Sequence, residues 1–162
     1  MATCHFEPPV PTTSAIDAEL AFWDVGTPAK EEEFARAVAL GLHDYLRKSG
    51  ARGFVVSLSG GADSSSVAAL IWVMARLGVA ELGRERFARQ LRLDCDDPDG
   101  IEDFMAQLLT CVYQPTRNSS DVTRDAAEVV ARAIGAQFRS WNIDELVDGY
   151  VERVEQIGRA HV

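Results

Sequence analysis

Cysteine, histidine and positive charge are all scarce in this sequence. Its 162 residues include three cysteines and three histidines. The cysteines are widely separated, which argues against a disulfide framework and against a Cys-x-x-Cys metal or redox site. Sixteen lysines and arginines stand against 25 acidic residues, so the net charge is -9. That charge disfavours nonspecific binding to nucleic acid, because the phosphate backbone would be repelled.

Long apolar runs are also lacking. No segment is predicted to be long enough to span a membrane, and the first residues lack the basic start and apolar stretch of a secretory signal. The length and the 47% share of hydrophobic residues suit one globular domain. We therefore expect a cytoplasmic protein with no membrane or nucleic-acid partner.

A loop rich in serine and glycine is the most informative feature that is present. The run Gly53–Leu58 before it is β-branched and aromatic, as is typical of a buried parallel strand. After it, apolar residues recur at helical spacing from Ser64 to Leu77, and Gly78 stands where a C-terminal cap is expected. The predicted apolar stripe of this helix is Val67, Leu70, Ile71, Met74 and Leu77.

The loop has residue types that suit a phosphate group. It ends at a helix N-terminus, where free N–H groups and a partial positive charge favour an anion. Gly60 and Gly61 let the backbone approach closely, since neither has a Cβ atom. Hydroxyl donors are supplied by Ser59, Ser64 and Ser65. The carboxylate of Asp63 beside a phosphate makes sense chiefly if a divalent cation joins the two, which predicts Mg²⁺.

The same loop also has a simpler interpretation. It could be a tight strand-to-helix turn in which Asp63 or a serine caps the helix, since Gly-Gly and serine-rich turns are common. It is not a Walker A loop, because no Gly-Lys-Ser/Thr follows at the required spacing. The dinucleotide-binding fingerprint is also ruled out, because its third glycine is missing.

The full string resembles the Ser-Gly-Gly-x-Asp-Ser loop of the ATP pyrophosphatase superfamily. The matching residues are Ser59, Gly60, Gly61, Asp63 and Ser64. In that superfamily the loop holds the pyrophosphate of ATP while a substrate oxygen attacks the α-phosphorus. The resemblance implies that ATP is a co-substrate, that Asp63 and Ser64 are catalytic, and that Asp63 binds Mg²⁺. It also implies that Ser65 contacts the nucleotide.

A predicted helix precedes the strand and the loop. It begins at Glu31 and ends near Ser49, and its predicted apolar face is Phe34, Val38, Leu42, Tyr45 and Leu46. This order of helix, strand and loop resembles the synthetase domain of the NAD⁺ synthases, particularly the glutamine-dependent ones. Downstream, Gln114–Ser120 follows a predicted strand, Leu108–Tyr113, in which Cys111 is expected to be a buried thiol.

In that family the equivalent segment has the form Pro-x-Arg-x-Ser-Ser and lines the adenosine side of the ATP site. The resemblance therefore makes Thr116 and Arg117 candidates for nucleotide contacts. Next, we expect a helix capped by Ser119 or Ser120 and a strand over Gln137–Ile143. A last helix opens at Asp144, with Leu146, Tyr150, Val151 and Val154 expected to face the sheet.

Alternation of helices and strands predicts an α/β fold, a three-layer α/β/α parallel sheet that is incomplete at the C-terminus. Residues 1–29 are interpreted as a linker or an extended N-terminal segment, and residues 30–156 as part of the ATP pyrophosphatase domain. Residues 157–162 match one reading frame of a sequencing adapter and are expected to be an artefactual tail. The charged stretch 84–107 is expected to be a solvated loop, with an acidic cluster over 94–99 that could bind a cation.

The family resemblance implies ATP-dependent amidation of deamido-NAD⁺ to NAD⁺, with ammonia or glutamine as nitrogen source. It also implies an upstream glutaminase domain and a homodimer at full length. Two alternatives remain open. One is another amidotransferase-linked synthetase, such as a GMP or asparagine synthetase, and the other is an ATP-binding module without catalysis.

Overall fold

In the computed structural model of the chain, residues 29–95 and 100–159 are described. Within these ranges the chain forms six helices and three strands, and the compact unit that carries the sheet begins at Phe34. In chain order they are α1 (Ala29–Ser49), β1 (Phe54–Ser57), α2 (Ala62–Leu82), α3 (Arg84–Leu91), α4 (Glu102–Leu108), β2 (Leu109–Tyr113), α5 (Asp121–Ala133), β3 (Gln137–Ser140) and α6 (Asp144–Arg159). The expected linker lies outside the described residues, except for Ala29, and α6 continues past the boundary expected at residue 156.

The three strands form one parallel sheet in the order β1-β2-β3. Cys111 in the central strand β2 is level with Val56 of β1 and with Phe138 of β3. Four of the five residues of β2 are buried, because the strand is paired on both sides and helices flank the sheet. The predicted α/β class is confirmed, and so is the burial of Cys111.

Helix α2 packs on the sheet through a narrower stripe than predicted. Its buried residues are Ala68, Ile71, Met74 and Ala75, whereas Val67 is 48% exposed. The prediction that Gly78 ends the helix is wrong, since α2 continues to Leu82 and Gly83 follows it. Gly78 instead makes room for a neighbour, because a Cβ atom on it would lie 2.3 Å from Cε2 of Phe87.

The charged stretch 84–107 is not a solvated loop, and that prediction is wrong. It forms α3 and most of α4, whose aromatic side chains Phe87 and Phe104 are fully buried with ring centroids 5.7 Å apart. Arg84 lies over the Phe104 ring at 4.1 Å and so contributes a cation–π contact. Residues 96–99 of the acidic cluster lie outside the described residues, and the described part contains no group of three or more potential metal ligands.

Two helices are more exposed than their apolar patterns predict. On α1, Ala39 and Leu46 are buried, whereas Phe34 and Tyr45 of the predicted face are exposed. On α6, all four residues expected to face the sheet are exposed, Leu146 by 74% and Tyr150 by 73% among them. A helical period identifies an apolar face, but it does not identify a partner for that face.

By length and composition alone, α2 is the one helix in the described part of the chain that could cross a membrane. This differs from the expectation that no segment is long enough. A core helix of an ordinary α/β fold meets the same criterion, and α2 supplies four residues to the core. The indication of a membrane segment is therefore weak.

Replacing Gly78 should test the packing of α3 on α2. Gly78→Ala places a methyl group against the buried Phe87 ring, and we expect a loss of about 1–3 kcal/mol in the free energy of unfolding. Gly41→Ala is the matched control in α1, because a Cβ atom there meets nothing within 4 Å. It should stabilise the helix by about 0.5–1 kcal/mol. Urea unfolding of both variants measures the difference, and equal effects would contradict this packing.

The thiol of Cys111 should react only after unfolding. Burial raises the pKa of Cys111 to about 11, so the reactive thiolate is scarce near pH 8. In a variant with serine at positions 4 and 95, labelling by a disulfide reagent should be slow in buffer and fast in urea. Because the folded state holds the thiol proton more tightly, its contribution to stability is lost as the pH rises from the ordinary pKa of 9.0 to about 11. Rapid labelling of the native protein would contradict the burial of Cys111.

Candidate ATP pyrophosphate site

The predicted site residues gather at the carboxyl edge of the sheet. The segments that follow β1 and β2 both leave from this edge, because the strands are parallel. Ser57 Oγ donates a hydrogen bond of 2.7 Å to Oε1 of Gln114 and so joins the two segments directly. The phosphate loop, defined here as residues 59–65, therefore lies beside the loop 114–120. The role of Gln114 in this link could not be read from the sequence pattern.

Hydrogen bonds between its own serines shape the phosphate loop. Ser64 Oγ accepts from the Ser59 N–H at 3.2 Å and lies 3.1 Å from Ser59 Oγ. The N–H of Gly61 donates to Ser59 Oγ at 3.3 Å. The loop is consequently a closed turn in which Ser59 and Ser64 face each other at the start of α2.

The N-terminus of α2 differs from that of α5 in how it is capped. Ser120 caps α5, as predicted, since its side chain accepts from the N–H of Thr123. Gly61 precedes α2 and provides no side-chain cap. Ser64 and Ser65 instead donate to the carbonyl oxygen of Gly61, at 3.3 and 2.7 Å. The first N–H groups of α2, which have no carbonyl partner within the helix, are therefore suited to an anion.

Gly60 has a conformation and a contact that both require glycine. Its φ angle is 81°, in the left-handed region that side chains disfavour. A Cβ atom on Gly60 would also lie 2.3 Å from the carbonyl oxygen of Thr123 in α5. The phosphate loop thus passes directly against the first turn of α5.

A hydroxyl pair supports that first turn from inside the fold. The buried Tyr113 at the end of β2 lies with its hydroxyl 2.8 Å from Oγ1 of Thr123. Thr123 Oγ1 is also 2.8 Å from the carbonyl oxygen of Ser120, to which it donates. These contacts fix the backbone against which Gly60 rests, and no motif in the sequence indicated them.

Asp63 and Arg117 have different surroundings. Asp63 is exposed in the first turn of α2, next to the loop hydroxyls. The Arg117 side chain instead bonds to two carboxylates of α6, Asp144 and Asp148. The hydrogen bond with Asp148 and then that with Asp144 raise the pKa of Arg117, and the backbone N–H of Arg117 is the largest cause of a lowered pKa at Asp144.

A cavity of about 250 Å³ lies elsewhere, between α1, α2 and the end of α3. Its walls include Leu40, His43, Met74 and Leu82. Burial, followed by the nearby Arg47, lowers the pKa of His43 despite the opposing charge of Asp44. The cavity adjoins the carboxyl-terminal half of α2, whereas the predicted site residues lie at the other end.

Replacing Gly60 should disturb the phosphate loop more than replacing Gly61. Gly60→Ala places a side chain in the left-handed region, at a cost of about 1–2 kcal/mol before the contact with Thr123 is counted. At Gly61 a Cβ atom meets only Ser59 Oγ, at 3.3 Å, and the φ angle of -91° is ordinary. The free energies of unfolding of the two variants, measured by thermal unfolding, should differ by at least that amount. Equal melting temperatures would contradict the close approach of the loop to α5.

Sequence comparison identifies a protein family and shows that this chain corresponds to only part of the length of its relatives. The family model described as NAD synthase matches residues 34–160. The glutamine-dependent NAD(+) synthetase of Arabidopsis thaliana is 36% identical over 133 residues, which cover 76% of this chain and 18% of the relative. The enzyme of the same name from Oryza sativa subsp. indica is 38% identical, and the match covers 78% of this chain and 18% of the relative.

Solved structures agree with this result. The glutamine-dependent NAD(+) synthetase from Cytophaga hutchinsonii superimposes with a TM-score of 0.74 and 40% identity, over 80% of this chain and 24% of that one. The enzyme from Acinetobacter baumannii, solved in complex with ADP, has a TM-score of 0.51 and 24% identity, over 78% of this chain and 18% of that one, and shares the fold. Since the family model covers well over half of the sequence, this chain belongs to the NAD synthase family.

Proposed function

We propose that this chain carries the ATP-binding part of a glutamine-dependent NAD⁺ synthetase, which amidates deamido-NAD⁺ to NAD⁺. The observation that carries the proposal is the phosphate loop at the carboxyl edge of the sheet. In this loop Ser59 and Ser64 face each other, and Gly61 is the N-cap residue of α2. Membership of the NAD synthase family supports it. The chain matches 18% of the length of each plant relative, so the proposed activity is that of a longer protein and not of this chain alone.

The reaction has two steps. A carboxylate oxygen of the nicotinate ring of deamido-NAD⁺ attacks the α-phosphorus of ATP, and the bond from that phosphorus to the bridging oxygen breaks to release pyrophosphate. Ammonia then attacks the carbonyl carbon of the adenylate, loses a proton and displaces AMP, which leaves the amide. Activation is needed because a free carboxylate offers ammonia no good leaving group.

The phosphate loop would act on the departing pyrophosphate. Gly60 and Gly61 would bring backbone N–H groups close to it, and Ser59, Ser64 and Ser65 would turn their hydroxyl hydrogens toward it. For Ser64 and Ser65 this means exchanging the carbonyl oxygen of Gly61 for a phosphate oxygen. Donors held in place before the reaction stabilise the charge that develops on the leaving group.

Magnesium fits the donor set around Asp63. Mg²⁺ is commonly held by one or two carboxylates together with phosphate oxygens and water. Asp63 supplies one exposed carboxylate within the loop, and the described residues contain no group of three or more potential metal ligands. Asp63 would therefore hold Mg²⁺ only together with the nucleotide. The ion would neutralise charge on the phosphates.

The remaining assignments concern the wider protein. We propose that Thr116 lies on the adenosine side of the site, in the loop 114–120. We also propose a glutaminase domain upstream, a homodimer at full length and a cytoplasmic location. The alternative of a GMP or asparagine synthetase is disfavoured by membership of the NAD synthase family and by the segment Thr116–Ser120.

Titration of ATP into the chain tests the proposal, with and without Mg²⁺. Asp63→Asn should lower the Mg²⁺-dependent affinity for ATP about tenfold or more, which corresponds to about 1.4 kcal/mol. Glu85→Gln is a suitable control, because Glu85 is an exposed acidic residue in the first turn of α3. Pyrophosphate should compete with ATP, and AMP should bind much more weakly. Equal affinities for AMP and ATP, or no effect of Asp63→Asn, would contradict the roles assigned to the loop.

A further inference from the structure

The loop 114–120 is paired with the start of α6 along its backbone. The N–H of Trp141 donates to the carbonyl oxygen of Tyr113 at 2.9 Å. The N–H of Ile143 donates to the carbonyl oxygen of Pro115 at 3.1 Å. These bonds continue the pairing of β2 with β3 beyond the ends of both strands. The first turn of α6 is therefore held beside the loop.

Arg117 completes this pairing with its backbone and with its side chain. Its N–H donates to Asp144 Oδ1 at 2.8 Å, and its Nε donates to the same oxygen at 3.3 Å. The Nη2 group of the side chain bonds to the carboxylate of Asp148. Asp144 and Asp148 are four residues apart and hence on one face of α6. We call Arg117, Asp144 and Asp148 the carboxylate clamp.

Asp144 is the better fixed of the two carboxylates. It accepts from Nδ2 of Asn142 at 3.0 Å, and its own N–H donates to Oδ1 of Asn142 at 2.9 Å. Its side chain is 23% exposed, against 62% for Asp148. An exposed ion pair alone contributes little to stability. The clamp therefore depends on the hydrogen bonds that fix Asp144, and Asp148 adds a second contact to the guanidinium.

The clamp leaves Arg117 unsuited to act as a free cation. Its single positive charge faces two negative charges, so the three side chains together carry a net charge of -1. A nucleotide phosphate that approached the guanidinium would meet a cation already bonded to two carboxylates, whose negative charges would oppose it. The backbone of Arg117, in contrast, belongs to a closed turn in which the N–H of Ser119 donates to the carbonyl oxygen of Thr116 at 2.9 Å.

We propose that Asp144 and Asp148 are positioning residues that hold Arg117, and through it the loop 114–120, in the orientation that receives the nucleotide. Arg117 then orders the loop and does not pair with a phosphate. This inference rests on the ATP site proposed above. It differs from the expectation that Arg117 itself contacts the nucleotide.

A double-mutant cycle on ATP affinity separates the two roles of Arg117. If the clamp positions the loop, Arg117→Gln and Asp148→Asn should each weaken ATP binding about two- to fivefold, the range expected for an exposed pair. The double variant should be no weaker than either single one, and Asp148→Glu should restore binding. If Arg117 contacts a phosphate, Asp148→Asn should strengthen binding, because it frees the cation and removes a negative charge. That result, or an unchanged affinity in both single variants, would overturn the proposal.

The pair of Arg132 and Glu128 on α5 is the matched control. Its Nη2 to Oε1 distance is 2.5 Å, and it lies outside the loop and α6. Arg132→Gln and Glu128→Gln make the same changes in charge and should leave ATP affinity unaltered. A loss equal to that of the clamp variants would point to net charge and overturn the positioning role.

Amide hydrogen exchange tests the clamp without ATP. Asp144→Ala should speed exchange at the N–H of Arg117, and Arg117→Gln should speed it at the N–H of Ser119. If the unmodified chain does not bind ATP, the proposed function fails. Hydrogen exchange still tests the clamp in that case. Unchanged exchange rates in both variants would overturn the clamp, and faster rates would support it.

Discussion

Parallel pairing on both sides of β2 determines where every candidate residue lies. Because β1 and β3 run in the same direction as β2, the segments that follow all three strands leave at one edge. The loop 114–120 therefore lies beside both the phosphate loop and the start of α6, although the three segments are far apart in sequence. The contacts of Ser57 with Gln114, of Gly60 with Thr123 and of Arg117 with Asp144 all depend on this common edge.

Local features could be predicted from the sequence because their causes are local. The strand before the phosphate loop, the helix after it and the Ser120 cap each depend on residues within a few positions of one another. The end of α2 could not be predicted in this way. Gly78 lies inside the helix, where its missing Cβ atom leaves room for Phe87 of the next helix, whereas a glycine near a helix end ordinarily indicates a cap.

Composition misled the prediction for residues 84–107. Many charged residues make the stretch resemble a surface loop, but Phe87 and Phe104 fill the core from opposite ends of it. Two aromatic side chains in a charged segment are enough to form a packed layer when their neighbours are spaced for helices. The charged residues Glu85, Arg86, Arg89 and Glu102 lie on the exposed faces of α3 and α4, and they gave no sign of the buried faces.

In the candidate site, too, some features could be predicted from the sequence and others could not. The glycines and serines of the phosphate loop form a contiguous string, so the sequence indicates them directly. The partners of Arg117 lie 27 and 31 residues further along the chain, and Tyr113 meets Thr123 across a turn. Such contacts exist only once the sheet has formed. A residue type at one position can therefore indicate a candidate chemistry, but it does not indicate which residue it will contact in the fold.

The two edges of the sheet have different consequences for how such a fold can change in size. Within the described residues β3 pairs on one side only, with β2, and three of its four side chains are exposed. Its other edge offers backbone donors and acceptors to a further strand. The phosphate loop follows β1, at the opposite side of the sheet. A fold of this kind can accept added strands beside β3 over evolutionary time and leave the loop that follows β1 unaltered.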